Sequence, residues 1–142
     1  MSSERWLQFL LRALGVFDLL ALAGVIMPEH CMAIVHAWLG MGELPEGPVV
    51  GYLARSASLM YAQHAVVFLF LSRDVRRYRP LISLMAVVAI VSGVAMLAID
   101  LWTRIPMFWT VIEGPGYIVL AVAVLWLQSR SQKGADDMAC GV

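Results

Sequence analysis

Four stretches of this chain are each about twenty residues long and almost wholly apolar, and no other feature narrows its fold as far. A helix needs about 20 apolar residues to cross the roughly 30 Å hydrocarbon core of a bilayer. The first stretch runs from about Trp6 to Met27, and Pro28 ends it. The second runs from about Val49 to Leu71, just after Pro48, and the third from about Leu81 to Ile99, after Pro80. The fourth is about Phe108 to Leu127, which leaves almost nothing for a soluble domain. Of the 142 residues, 61% are hydrophobic and 14% charged, against roughly 45–50% and about 25% in an average soluble domain. That composition excludes a disordered chain and an ordinary cytosolic enzyme. Two cysteines, Cys31 and Cys140, cannot build a disulfide framework. Ten basic residues cancel ten acidic ones, so no global field draws in nucleic acid. The expected fold is an all-α integral membrane protein: one domain over 1–142, a four-transmembrane-helix up-down bundle.

Charge placement orients that bundle. The segment from Arg73 to Arg79 carries four arginines, Arg5 precedes the first span, and Arg130 and Lys133 follow the fourth. The connection from Pro28 to Pro48 carries Glu29, Glu43 and Glu46 with no Lys or Arg. By the positive-inside rule both termini and the arginine segment face the cytoplasm. Tryptophan agrees: Trp6 and Trp126 fall near the inner ends, Trp102 and Trp109 near the outer ends, and Trp38 in the outer loop. Ala21-Leu22-Ala23 resembles a signal-peptide cleavage site, but Asp18 interrupts the apolar region before it, so the first span is expected to be retained. In the outer loop Cys31, Ile34, Val35, Trp38 and Leu39 form one apolar stripe. That predicts a helix over about 30–41, lying in the interface.

Polar residues inside the spans carry the functional information, because a charge at the bilayer centre costs about 2.5–3.5 kcal/mol. Asp18, Arg55 and Glu113 all fall in the outer half of their spans, which predicts an intramembrane cluster with Arg55 as hub. Two carboxylates against one guanidinium leave a charge to be offset by a proton, a cation or a protonated His64. Ser58, Tyr61 and His64 extend the polar face of the second span, and Tyr117 lies one turn from Glu113; these four are candidate ligand contacts. Asp100 and Arg104 mark the outer rim. The plainer alternative is that an Arg–carboxylate cluster only locks helix register.

Several chemistries lack their residues. His64 is the single histidine within a span, which argues against bis-histidine haem ligation. His30 and His36 are six apart, off the spacing that puts two ligands on one helical face, so no metal site is expected. No phosphate-binding or hydrolase motif occurs, and no nucleophile–base pair points to catalysis. Cys140-Gly141-Val142 is one residue short of a prenylation box. The arginine segment could meet anionic headgroups, though its role in topology suffices.

The layout of one span ending in proline, an outer loop, a second span containing "YLARSASLMYA", a basic turn and two closing spans resembles the small bacterial four-helix membrane proteins of the DoxX-like group. The resemblance covers nearly the whole chain and rests on span placement with Arg55-Ser56 and Tyr61-Ala62. It implies a multi-pass protein of the bacterial inner membrane, some of whose relatives are parts of quinone-linked oxidoreductases. Three functions fit. The first is a non-catalytic subunit or binding module, alone, as a homo-oligomer or in a larger membrane complex, holding a small lipophilic ligand. The second is a proton-coupled carrier or channel, which with four spans needs oligomerisation. The third is a quinone-linked redox accessory protein using His64, Tyr61 and Arg55.

Overall fold

The computed structural model describes residues 3–140, with side chains described over 3–132. Among the described residues the regular structure is all helical: α1 (Ser3–Leu19), α2 (Leu22–Ile26), α3 (Glu29–Trp38), α4 (Pro48–Leu71), α5 (Arg79–Thr103) and α6 (Met107–Cys140). Proline and glycine explain most of the boundaries. Pro28 forces Met27 into extended backbone (φ −64°, ψ 129°) and so ends α2. Pro48 opens α4 and Pro80 lies in the first turn of α5, where a missing N–H costs nothing. Gly40, Gly42 and Gly47 take positive φ in the turn between α3 and α4. Arg104 ends α5 in the left-handed conformation, its N–H and that of Ile105 both returning to the Asp100 carbonyl.

Three helical stretches are long and apolar enough to cross a membrane: Ser3–Ile26, which joins α1 and α2, Arg79–Thr103, and Met107–Gln132. The fourth expected span, over α4, is not among them. At 24 residues α4 has the length, but Arg55, Gln63 and His64 interrupt its apolar run. The three apolar stretches also run longer than the sequence pattern suggested, because hydropathy marks where a helix leaves an apolar medium rather than where its hydrogen bonding stops. Large apolar side chains stay uncovered along them, including Phe17 (72% exposed), Val91 (64%) and Ile112 (67%). An apolar surface of that kind suits lipid contact.

The helices divide into two compact units, one comprising the chain up to Leu11 with everything from Leu71 onward, the other Arg12–Phe70. The first unit buries Leu7, Leu11, Leu71, Val75, Ile82 and Val124. Within it α5 and α6 are antiparallel, and Gly93 meets Gly114 so closely that a Cβ on either would lie 2.8 Å from the other's carbonyl oxygen. Gln128, buried on α6, accepts from Ser83 Oγ (3.1 Å) and donates to the Arg79 carbonyl (2.8 Å). Glu4 receives the Arg76 guanidinium through both carboxylate oxygens, and Ser131 Oγ donates to it as well. The hydrogen bond to Glu4 holds Arg76 above its already high ordinary pKa. In the second unit α1 and α2 run against α4. A Cβ on Gly15 would come within 2.8 Å of Leu69 Cγ, and one on Gly24 would collide with Ser58 Oγ. The Lys133 side chain and the C-terminal tripeptide weighed for prenylation lie outside the described residues.

Candidate functional site

The second unit gathers most of the polar residues picked out in the sequence. Arg55 sits two turns into α4, and Gly51 one turn before it leaves room for the guanidinium to reach back toward the helix start. A Cβ on Gly51 would lie 2.7 Å from Arg55 Nη1. The Nη2 group donates to the Met27 carbonyl at 3.2 Å. That carbonyl stands at the end of α2, where extended backbone gives it no helical partner. Nη1 lies 4.0 Å from Glu29 Oε1, in the first turn of α3. Arg55 therefore ties together the two sides of the Met27-Pro28 break.

This changes the expected hub. Among the described residues the carboxylate within 4.0 Å of Arg55 is Glu29 and not Asp18. Asp18 lies half-buried near the end of α1, and the side chain acting on it electrostatically is His64 of α4. The helix register puts the two residues at similar height, since Gly15 lies against Ala65 and Leu69 while Gly24 lies against Ser58. Asp18 falls between these contacts on one helix and His64 between them on the other. His64 Nδ1 pairs with the Met60 carbonyl at 3.0 Å. A carbonyl can only accept, so Nδ1 carries the proton and Nε2 is the free position. Ser58 is half-buried under Gly24, and Tyr61 is 36% exposed.

Glu113 belongs to the first unit. Its Oε2 accepts from Trp109 Nε1 at 2.6 Å, an i,i+4 pair on α6. Tyr117, one turn on, brings its Cβ within 3.3 Å of the place a Gly93 side chain would occupy. Asp100 is 1% exposed, and its Oδ2 has no hydrogen-bond partner among the described residues. Arg104, beyond it, is exposed.

Beside the Arg55–Glu29 pair the second unit opens a cleft of about 480 Å³. Glu29, His30 and Met32 of α3 form one wall, Leu44 and Glu46 another, and Val50 and Gly51 of α4 its base. The volume falls within the range of small-molecule sites. Its lining mixes the carboxylates Glu29 and Glu46 with aliphatic groups. Cys31 Sγ lies 3.2 Å from His30 Nε2, but among the described residues no group of three His, Cys, Asp or Glu side chains could hold a metal.

The sequence contained signals for two of the missed partners. Glu29 follows a helix-ending proline, which places it beside an orphan carbonyl, and Trp109 is spaced i,i+4 from Glu113. Nothing local marks Gln128 or Glu4, whose partners are 45 or more residues away. No protein-family model, no curated protein and no solved structure matches this chain, so its chemistry has to be read from its own residues.

Proposed function

We propose that α4 crosses the bilayer as a fourth span and that the chain is a non-catalytic membrane subunit or binding module. One observation carries this: of the polar residues along α4, Arg55, Ser58 and His64 are engaged within its own unit, while Gln63 is exposed. Arg55 is held by Met27 and Glu29, Ser58 lies against Gly24, and His64 bonds Met60. A helix whose polar groups are satisfied by neighbours can cross lipid at far lower cost than its composition suggests. Both termini then lie on the cytoplasmic side, and the cleft beside Arg55 opens outward to take a small amphiphilic molecule. The layout shared with DoxX-like proteins is in keeping with this. The test is cysteine labelling at Glu43→Cys and Arg77→Cys, each with Cys31 and Cys140 replaced by serine. Four spans put positions 43 and 77 on opposite faces of the membrane. Labelling of both from one side would leave three spans and overturn the reading.

Asp18 and His64 favour a second reading, a proton-coupled carrier or channel working as an oligomer. In liposomes holding the protein, a proton flux lost with Asp18→Asn supports it, and no flux from the wild type removes it.

A further inference from the structure

The arginines at the Glu4 end of the first unit outnumber what that unit uses. Glu4 draws three separate segments together: it binds Arg76 and Ser131, and Arg79 acts on it electrostatically. The chain neighbours of these residues follow, so Arg5, Arg77 and Arg130 are brought to the same end. Arg73 opens the connection that holds Arg76. Among the residues whose side chains are described, these segments set two carboxylates, Glu4 and Asp74, against six arginines, an excess of four positive charges. Glu4 is already shared between Arg76 and Ser131, and Asp74 Oδ1 accepts the Arg77 backbone N–H at 3.0 Å. Arg5, Arg73, Arg77 and Arg130 are all exposed.

Their surroundings identify the medium. Arg130 stacks on Trp126, its guanidinium carbon 4.3 Å from the ring centroid, and Trp126 itself is 52% exposed. Trp6, beside Arg5, is 48% exposed and packs edge-on against Phe9. Half-exposed tryptophan next to exposed arginine is the arrangement that headgroup depth selects. Leu7, Leu11, Leu71 and Ile82 of the same unit are almost fully buried.

We infer that this end of the first unit binds anionic phospholipid headgroups, with Arg73, Arg77 and Arg130 as the phosphate-contacting residues and Glu4–Arg76 as the brace that positions them. A guanidinium forks onto a phosphate through two parallel N–H donors, which a zwitterionic headgroup offsets with its own ammonium. Each arginine at an anionic surface contributes about fivefold to binding, screened by salt. The inference rests on the membrane reading of the chain but not on the number of spans or their direction.

The test is native mass spectrometry of the detergent-purified chain with dioleoyl-phosphatidylglycerol or dioleoyl-phosphatidylcholine at equal concentration. Wild type should retain the anionic lipid at least tenfold better, and the preference should weaken as salt is raised. Arg73→Gln/Arg77→Gln/Arg130→Gln should bring the ratio to within about twofold. The single change Arg130→Gln, which spares the charge that sets topology, should lower it about fivefold. Arg104→Gln, a cation elsewhere in the same unit, should leave it unchanged. Equal retention of the two lipids by wild type, or an undiminished preference in Arg130→Gln, overturns the inference. Labelling that showed three spans would leave it standing, so the two readings fail separately.

Discussion

Single glycines separate rigid contacts from adaptable ones. A Cβ on Gly93 meets a backbone carbonyl, which cannot move without shifting α6. Gly93→Ala should therefore cost about 1–3 kcal/mol, as overpacking does in cores, and lower the melting temperature in detergent. A Cβ on Gly51 meets the ends of two flexible side chains, Arg55 Nη1 at 2.7 Å and Glu29 Oε1 at 3.4 Å. Gly51→Ala should leave stability within about 0.5 kcal/mol, as most changes away from rigid packing do. The Glu29 side chain is 77% exposed in its 4.0 Å pair with Arg55. Glu29→Gln should thus cost under about 1 kcal/mol, measured by the same melts. The sequence marked Arg55 as the charge that needs a partner but did not single out Glu29, which lies 4.0 Å from it. Depth along a helix was legible, whereas the direction a long guanidinium turns depends on the space Gly51 leaves.

At the level of the helix, punctuation decided what could be read. Pro28, Pro48 and Pro80 set α3, α4 and α5 close to their expected starts. The break between α1 and α2 has no such mark. There the N–H groups of Leu20 and Ala21 reach back three residues, to Phe17 and Asp18, at 3.1 Å each. That tightening is a packing outcome. The far end of α6 was missed for a different reason: beyond Leu127 its residues turn polar while the backbone stays helical, so the helix outlasts its apolar face. The α5–α6 pair is joined at that end by Gln128, buried and bonded to both Ser83 and the Arg79 carbonyl. Gln128→Leu strands both partners and should cost about 1–3 kcal/mol. An unchanged melting temperature would show that water already serves them.

For the molecule as a whole, stability should depend little on ionic strength. Among the described residues two ion pairs fall within 4.0 Å, Arg55–Glu29 and Arg76–Glu4, and each has one largely exposed partner. Exposed pairs are screened at high salt and contribute little to begin with. Melting in a non-ionic detergent should shift by no more than a few degrees between low salt and 1 M sodium chloride. A large fall would mean that unseen charge pairing, for instance between copies, holds the fold. His64 bears on how such a molecule could handle protons. Its Nδ1 hydrogen is committed to the Met60 carbonyl, so protons can enter and leave the ring at Nε2 alone. A relay takes a proton in at one nitrogen and hands it on from the other. This histidine has one nitrogen tied to its own helix, so any relay through the ring requires the turn of α4 at Met60 to let go first.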